Sequence, residues 1–254
     1  MSIVGLYLLL RINILLLLCC STDAGSLKFV KEKRKGLDRA RQNKLKNLGL
    51  DQCDTMTLKN LHSNYDAVSN QPWCDKCQDF KVQRSHHCNT CGSCALRMDH
   101  HCPWINNCIG IGNVRFFIQL LLHVSLGSTF TLYCIWLGRN SPIWYQAFSW
   151  TWAFVFMHSL QALGFIGYYL YNLMLVNRDL TSFDLFYRQK KDKRYLRFMN
   201  LSFNAKLWLI FGTPNLFKAS FYPCMRLPPL SGLEYSVETE VTNFKDFSIL
   251  QYFD

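Results

Sequence analysis

The chain has 254 residues, half of them hydrophobic, with a formal net charge of +11 and twelve cysteines. Its apolar residues are gathered in long runs rather than spread as amphipathic stripes, which argues against one ordinary soluble domain. A surplus of positive charge suits an anionic membrane surface as well as a nucleic acid, so where the charge sits decides between them.

Residues 1–22 form the first apolar segment, ending near Cys19 and Cys20. Arg11 stands near its middle, where a cation costs about 2.5 to 3.5 kcal/mol at a helix centre. The segment reads as an uncleaved transmembrane or signal-anchor helix, with a cleavable signal peptide as the alternative because small and polar residues follow at Ser21 to Ser26. Residues 23–71 read as a basic linker, carrying Lys31, Lys33, Arg34, Lys35, Arg39, Arg41 and Lys44. Residues 72–115 hold most of the cysteines. Two apolar spans follow, 116–138 and 150–176, each long enough to cross a hydrocarbon layer of roughly 30 Å. The second has Trp150, Trp152, Tyr168, Tyr169 and Tyr171 toward its ends, where interfaces favour aromatic rings. Between them lies a short connection, 139–149, with the turn signal Asn140-Ser141-Pro142 and a single basic residue, Arg139. Region 177–254 is basic again at Arg188, Lys190, Lys191, Lys193, Arg194 and Arg197. The positive-inside tendency therefore places the linker, the cysteine-rich segment and the C-terminal region in the cytosol and the 139–149 loop in the lumen.

Seven of the twelve cysteines fall between Cys74 and Cys108, together with His86, His87, His100 and His101. Mixed thiol and imidazole donors are a zinc signature rather than a disulfide one, and cytosolic thiols stay reduced. A secreted, disulfide-bonded protein is the alternative that oxidised thiols would reveal. The spacing Cys74-x2-Cys77-x9-His87-x6-Cys94 recurs, shifted by fourteen residues, as Cys88-x2-Cys91-x9-His101-x6-Cys108. Each copy supplies three thiolates and one imidazole, a full ligand set for one tetrahedral structural zinc, so two interleaved sites are expected. Three donors remain: His86, His100 and Cys102. Cys102 occupies the place that Cys88 holds one repeat earlier, but Ile105 stands where its partner thiol would be, so no third site forms. A thiol beside an imidazole is a candidate nucleophile, with His100 as base or cation and Asp99 to orient it. An inert buried Cys102, with His100 as a hydrogen-bonding support for the metal sites, is the plainer alternative. His86 reads as a surface or packing residue.

The run from Pro72 to about Phe117 resembles the aspartate-histidine-histidine-cysteine (DHHC) protein S-acyltransferases, the palmitoyltransferases. The residues that carry the likeness are Cys74-x2-Cys77, Arg84-Ser85-His86-His87-Cys88, Cys91-x2-Cys94, Asp99-His100-His101-Cys102-Pro103-Trp104, and Asn107-Cys108 with Asn113 and Phe117. The resemblance implies an α-helical integral membrane protein with an inserted cytosolic zinc-binding domain, holding two structural zinc ions in interleaved Cys3His sites. It implies acyl transfer from palmitoyl-CoA or another long-chain acyl-CoA through a thioester on Cys102, with His100 as general base and Asp99 as its orienting partner. Proteins with membrane-proximal cysteines would be the acceptors and membrane lipids the surroundings, on Golgi or endoplasmic reticulum membranes. Trp104 is expected at the neck of the acyl cavity, and Gly127, with Ser128, deep in it. Thr181-Ser182-Phe183-Asp184 is similar to the family's Thr-Thr-x-Glu, which assigns Thr181 and Ser182 to the acyl or CoA site. Leu209-Ile210-Phe211-Gly212 is similar to the end of a C-terminal motif whose asparagine would fall at Lys206, with Asn204 nearby.

The family usually has two helices before the cysteine-rich domain, whereas this sequence offers one. That departure leaves three expectations: a three-helix variant, a misassigned start, or an impaired enzyme. A zinc-binding membrane scaffold that has lost acyl transfer is accordingly the competing function. Nucleic-acid binding is excluded, because the spacing of Cys-x2-Cys-x12-His-x3-His fingers is absent and two spans are present.

Overall fold

The computed structural model describes residues 2–26, 73–81, 84–140, 148–186 and 202–222. The basic runs at 28–46 and 188–197 and most of the expected 139–149 loop lie outside the described residues.

Three long helices dominate: α1 (Ile3–Ser21), α2 (Val114–Gly138) and α3 (Phe148–Arg178). Their most apolar windows have mean hydropathies of 2.4, 1.6 and 1.3, and each is long enough to cross a membrane. Helix α1 begins where the Ser2 hydroxyl accepts from the Gly5 amide and is apolar on every side, the pattern of a helix that meets lipid. Leu9, Leu17, Trp152, Phe156 and Leu163 all point outward.

Helices α1 and α2 run antiparallel and close together because small residues line their seam. A Cβ on Gly5 would meet the Phe130 ring at 3.0 Å, and one on Gly127 would meet Ile12 Cδ1 at 3.1 Å. Polar bonds join α2 to α3: Ser125 Oγ donates to the Ala162 carbonyl at 2.9 Å and Ser128 Oγ to Gln161 Oε1 at 3.0 Å. Arg11, the cation in the apolar segment, is buried and donates to the Phe221 carbonyl at 2.5 Å. Gln119 Nε2 donates to the neighbouring carbonyls of Ala219 and Tyr222. The helix whose end they hold, Leu216–Phe221, is thus drawn in among the long helices, and Arg11 gains a polar partner that offsets its burial.

The cysteine-rich segment contains six short strands: β1 (Trp73–Cys74), β2 (Asp79–Phe80), β3 (His86–Cys88), β4 (Ser93–Ala95), β5 (His100–Cys102) and β6 (Asn107–Ile109). They pair as three antiparallel hairpins, β1-β2, β3-β4 and β5-β6. The hairpins repeat the fourteen-residue period of the sequence. The residue closing each turn has positive φ: Gln78 at 50°, Gly92 at 64° and Asn106 at 51°. Asparagine tolerates that left-handed geometry well, and glycine adopts it without strain.

The end of α1 is seated on the third hairpin. Asn107 Nδ2 donates to the carbonyls of Cys19 (3.1 Å) and Thr22 (2.9 Å), and Asn113 Nδ2 reaches the carbonyls of Cys108 (2.8 Å) and Cys19 (3.4 Å). These bonds satisfy carbonyls that a helix C-terminus leaves without partners. Gly110 and Gly112 permit the approach, since a Cβ on either would collide with the backbone at Asp23 and Ala24. On the other side, Asp179 directly follows α3, and the short helix α4 (Ser182–Phe186) comes next. Two more helices, α5 (Phe203–Phe211) and α6 (Leu216–Phe221), complete the described chain.

Candidate active site and metal centres

Two clusters bring the repeated donors together: Cys74, Cys77, His87 and Cys94, and Cys88, Cys91, His101 and Cys108. In the first, His87 Nδ1 lies 3.6, 3.2 and 3.9 Å from the sulfurs of Cys74, Cys77 and Cys94. In the second, His101 Nδ1 lies 3.5, 3.4 and 3.8 Å from those of Cys88, Cys91 and Cys108. A tetrahedron with zinc–sulfur distances of about 2.3 Å and zinc–nitrogen distances of about 2.0 Å has edges of about 3.5 to 3.8 Å. The donors therefore fit a zinc ion in each cluster. Burial and the neighbouring thiols push Cys94 and Cys108 upward, whereas Cys74 and Cys88, though burial opposes it, are drawn down by hydrogen bonds from amides and thiols. Three thiolates cannot coexist at these distances without a cation between them.

The interleaving has a structural meaning. Each cluster takes a cysteine that ends the first strand of one hairpin, a second from its turn, and a histidine and a cysteine from the strands of the next, with His87 facing Cys94 and His101 facing Cys108 across the ladders. The first cluster ties hairpin one to hairpin two, and the second ties two to three. The turn of the third hairpin contributes no donor to either cluster, and Cys102 precedes it.

Successive side chains alternate faces along a strand, so His100 and Cys102 share one face of β5 while His101 turns to the metal side. Cys102 is buried in the apolar cluster that also contains Leu15, Ile105, Phe117, Tyr169 and Val176. The His100 ring meets the edge of Phe117, with centroids 5.2 Å apart. Its Nδ1 is 2.7 Å from Asp99 Oδ2, which leaves Nε2 as the ring's other nitrogen. Asp99 is itself buried, and its Oδ1 accepts the Ser182 backbone amide at 2.6 Å. Burial pushes the Asp99 carboxyl upward, but the hydrogen bonds from His100 and Ser182 prevail and hold it below the usual carboxylate value.

Thr181 and Ser182 stand beneath Asp99. Thr181 Oγ1 accepts from the Asp184 amide at 3.1 Å and Asp184 Oδ2 accepts from the Thr181 amide at 2.9 Å, a reciprocal cap that fixes the start of α4 and so the direction of the Ser182 amide. Arg84 binds this unit: its guanidinium lies 2.6 Å from Asp184 Oδ2 and 3.1 Å from Asp179 Oδ2, and it donates to the Asp179 carbonyl at 2.8 Å. Arg97 adds a 3.4 Å contact to Asp179. Arg84 and Asp184 lie in motifs visible in the sequence, but Asp179, which joins both arginines to the end of α3, carries no motif.

Trp104 is 93% exposed on the turn just after Cys102. Gly127 faces Ile12 in the α1–α2 seam. His86 is a packing residue, its ring 3.8 Å from that of Phe183, and burial pushes it down to about 4. Lys206 Nζ, at the position expected to hold asparagine, donates to the Asn177 carbonyl at 2.5 Å and links α5 to the end of α3.

Comparison with known proteins adds a family. Residues 67–217 match the family model described as DHHC palmitoyltransferase. Palmitoyltransferase ZDHHC20-A of Danio rerio is 33% identical over 156 residues, covering 55% of this chain and 41% of the relative. Palmitoyltransferase ZDHHC20 of Homo sapiens is 36% identical over 126 residues, 45% of this chain and 33% of the relative. Palmitoyltransferase ZDHHC15 of Rattus norvegicus is 37% identical over 68 residues, 27% of this chain and 18% of the relative. The matched stretches span less than half the length of those relatives.

Proposed function

Since this chain belongs to the DHHC palmitoyltransferase family, we propose that it is a membrane-embedded protein S-acyltransferase that moves a long acyl group, such as palmitate, from CoA to protein cysteines through a thioester on Cys102. The observation that carries the reading is the chain of contacts Ser182 amide, Asp99, His100, with Cys102 on the same strand face as His100. In the first step His100 Nε2 takes the proton of the Cys102 thiol, and the sulfur attacks the thioester carbonyl of the acyl-CoA. The bond to the CoA sulfur breaks, and that sulfur takes the proton from His100. In the second step the acceptor cysteine gives its proton to His100 and attacks the Cys102 thioester, so Cys102 leaves and is reprotonated.

Asp99 fixes the tautomer that makes Nε2 the basic atom and stabilises the imidazolium formed in each step. The roles of Thr181 and Ser182 are positional, through the cap and the amide that hold Asp99. The two Cys3His clusters would hold structural zinc, supplying folding energy and fixing the height of the third hairpin. Trp104 stands at the mouth of the acyl site, Gly127 lies farther along the seam, and acceptors are proteins with cysteines near the membrane surface. By the positive-inside tendency the site faces the cytosol, with the Golgi or endoplasmic reticulum as the membrane.

Labelled palmitoyl-CoA tests the proposal. The purified protein takes up label that neutral hydroxylamine releases, and Cys102→Ser takes up none while keeping its zinc. The competing scaffold reading draws on Lys206 in place of asparagine. It becomes the better one if wild-type protein holding two zinc ions accepts no acyl group from any CoA donor.

A further inference from the structure

A second buried thiol, Cys19, belongs to the same apolar cluster as Cys102 and to neither metal cluster. Leu8, Arg11, Leu15 and Cys19 form the buried stripe of α1, at the three- and four-residue spacing of one helix face. Cys19, the last of them, has a free thiol and is 0% exposed. It shares one packed cluster with Cys102, Leu15, Ile105 and Phe117. Two side-chain amides fix the end of α1 against the third hairpin. Asn107, the cross-strand partner of Cys102, donates its side-chain amide to the Cys19 carbonyl, and so does Asn113. The neighbouring Cys20 is exposed.

Resting on the acyl-transfer reading above, we propose that Cys19 is a second acyl-bearing residue, loaded in cis from the Cys102 thioester. The Cys19 thiol gives its proton to His100 Nε2, and its sulfur attacks the carbonyl carbon held on Cys102. A carbon–sulfur bond to Cys19 forms, the bond to Cys102 breaks, and the proton passes from His100 to the Cys102 sulfur. One thioester replaces another, so neither oxidant nor further acyl donor is consumed. The hydrocarbon tail remains in the same apolar cluster and no part of it has to enter water, in contrast to transfer to an outside protein. Holding both thiols in one site makes the exchange intramolecular, which favours it over attack from solution.

The test uses the full-length protein in detergent, labelled palmitoyl-CoA, and fragment mass spectrometry of the peptide that contains Cys19 and Cys20. Hydroxylamine-labile palmitate is expected on Cys19. Its appearance should follow that of the Cys102 adduct in a rapid-quench time course, and its amount should fall at least tenfold in Cys102→Ala. Cys20→Ala should leave the Cys19 adduct in place. Equal Cys19 labelling in folded, zinc-loaded Cys102→Ala would overturn the proposal, because the acyl group would then come straight from CoA. Label on Cys20 instead of Cys19, or Cys19 labelled before Cys102, would overturn it equally. A Cys102 adduct with none on Cys19 sinks this inference alone, whereas no adduct on either cysteine sinks the acyl-transfer reading beneath it. The time course needs no variant, so it decides the order even if Cys102→Ala does not fold.

Discussion

Replacing Asp99 by asparagine keeps the shape of the side chain and removes its charge. The wild-type carboxylate accepts two hydrogen bonds at once, from His100 Nδ1 at 2.7 Å and from the Ser182 amide at 2.6 Å. Asparagine has a single carbonyl oxygen and cannot serve both. With its NH2 toward Ser182, two donors face each other in a buried site, at a cost of about 1 to 3 kcal/mol. With its NH2 toward His100, the ring must accept at Nδ1 and carry its proton on Nε2, where the basic lone pair is needed. Either way the base is lost or misplaced. General-base catalysis is worth roughly 10²- to 10⁴-fold, so acyl uptake should slow by that factor, about 3 to 5.5 kcal/mol of barrier at 1.36 kcal/mol per decade. Single-turnover formation of the hydroxylamine-sensitive adduct reads this directly, with zinc content confirming that the domain is intact. Because the folded Asp99 carboxyl lies below its unfolded value of about 3.9, its stabilising contribution is fully present above that value. It disappears only as pH falls through the lower, folded value, so measurements between pH 5 and 8 compare a charged Asp99 with a neutral asparagine throughout. An Asp99→Asn protein with two zinc ions and an uptake rate within threefold of wild type would refute the assignment of Asp99 and His100.

Elemental analysis should find two zinc ions per chain, with Cys77→Ser losing metal and Cys102→Ser retaining both, since only Cys77 belongs to a cluster. Arg84→Met leaves Asp179 and Asp184 without their main buried counter-charge, and breaking such a pair from one side costs about 3 to 5 kcal/mol. Thermal unfolding should show that loss, and an unchanged midpoint would mean that α4 is held by something else. Gly127→Phe forces a ring into the place where Ile12 Cδ1 already lies 3.1 Å from a Cβ, so α1 must shift, at about 1 to 3 kcal/mol of overpacking. The same variant should prefer shorter acyl chains, and an unaltered profile in stable protein would remove Gly127 from the acyl site.

The donor clusters were legible because ligand spacing is a local property: the two copies, offset by fourteen residues, name their own donors, and the hairpins bring them together. Subtraction within the same repeat leaves Cys102 outside both ligand sets, and the structure likewise places it in neither cluster. The support beneath Asp99 was not legible. It rests on a backbone amide, that of Ser182, and a backbone N–H has no signature in a sequence. Likewise the resemblance to Thr-Thr-x-Glu assigns Thr181 and Ser182 to the acyl or CoA site, whereas the helix cap and the bond to a carboxylate more than eighty positions earlier carry no sequence signal. Asp179 gave no signal at all, because its importance comes from the place where α3 ends against Arg84 and Arg97.

Arg11 shows the opposite limit. By composition alone it weakens the first span, since the cost of a cation in hydrocarbon is counted against the residue in isolation. In the fold the guanidinium meets a carbonyl at the end of α6, two hundred and ten positions away, and Gln119 holds the carbonyls on either side. A helix C-terminus carries partial negative charge, so Arg11 and α6 each relieve the other's burial. The same logic organises the whole molecule. Asn107 and Asn113 hold the end of α1, Arg84 and Arg97 hold the end of α3, and Arg11 and Gln119 hold the end of α6. In each of these three cases a helix C-terminus is met by side chains from another element. Those joints seat β5, with Asp99 just before it, at the end of the apolar bundle.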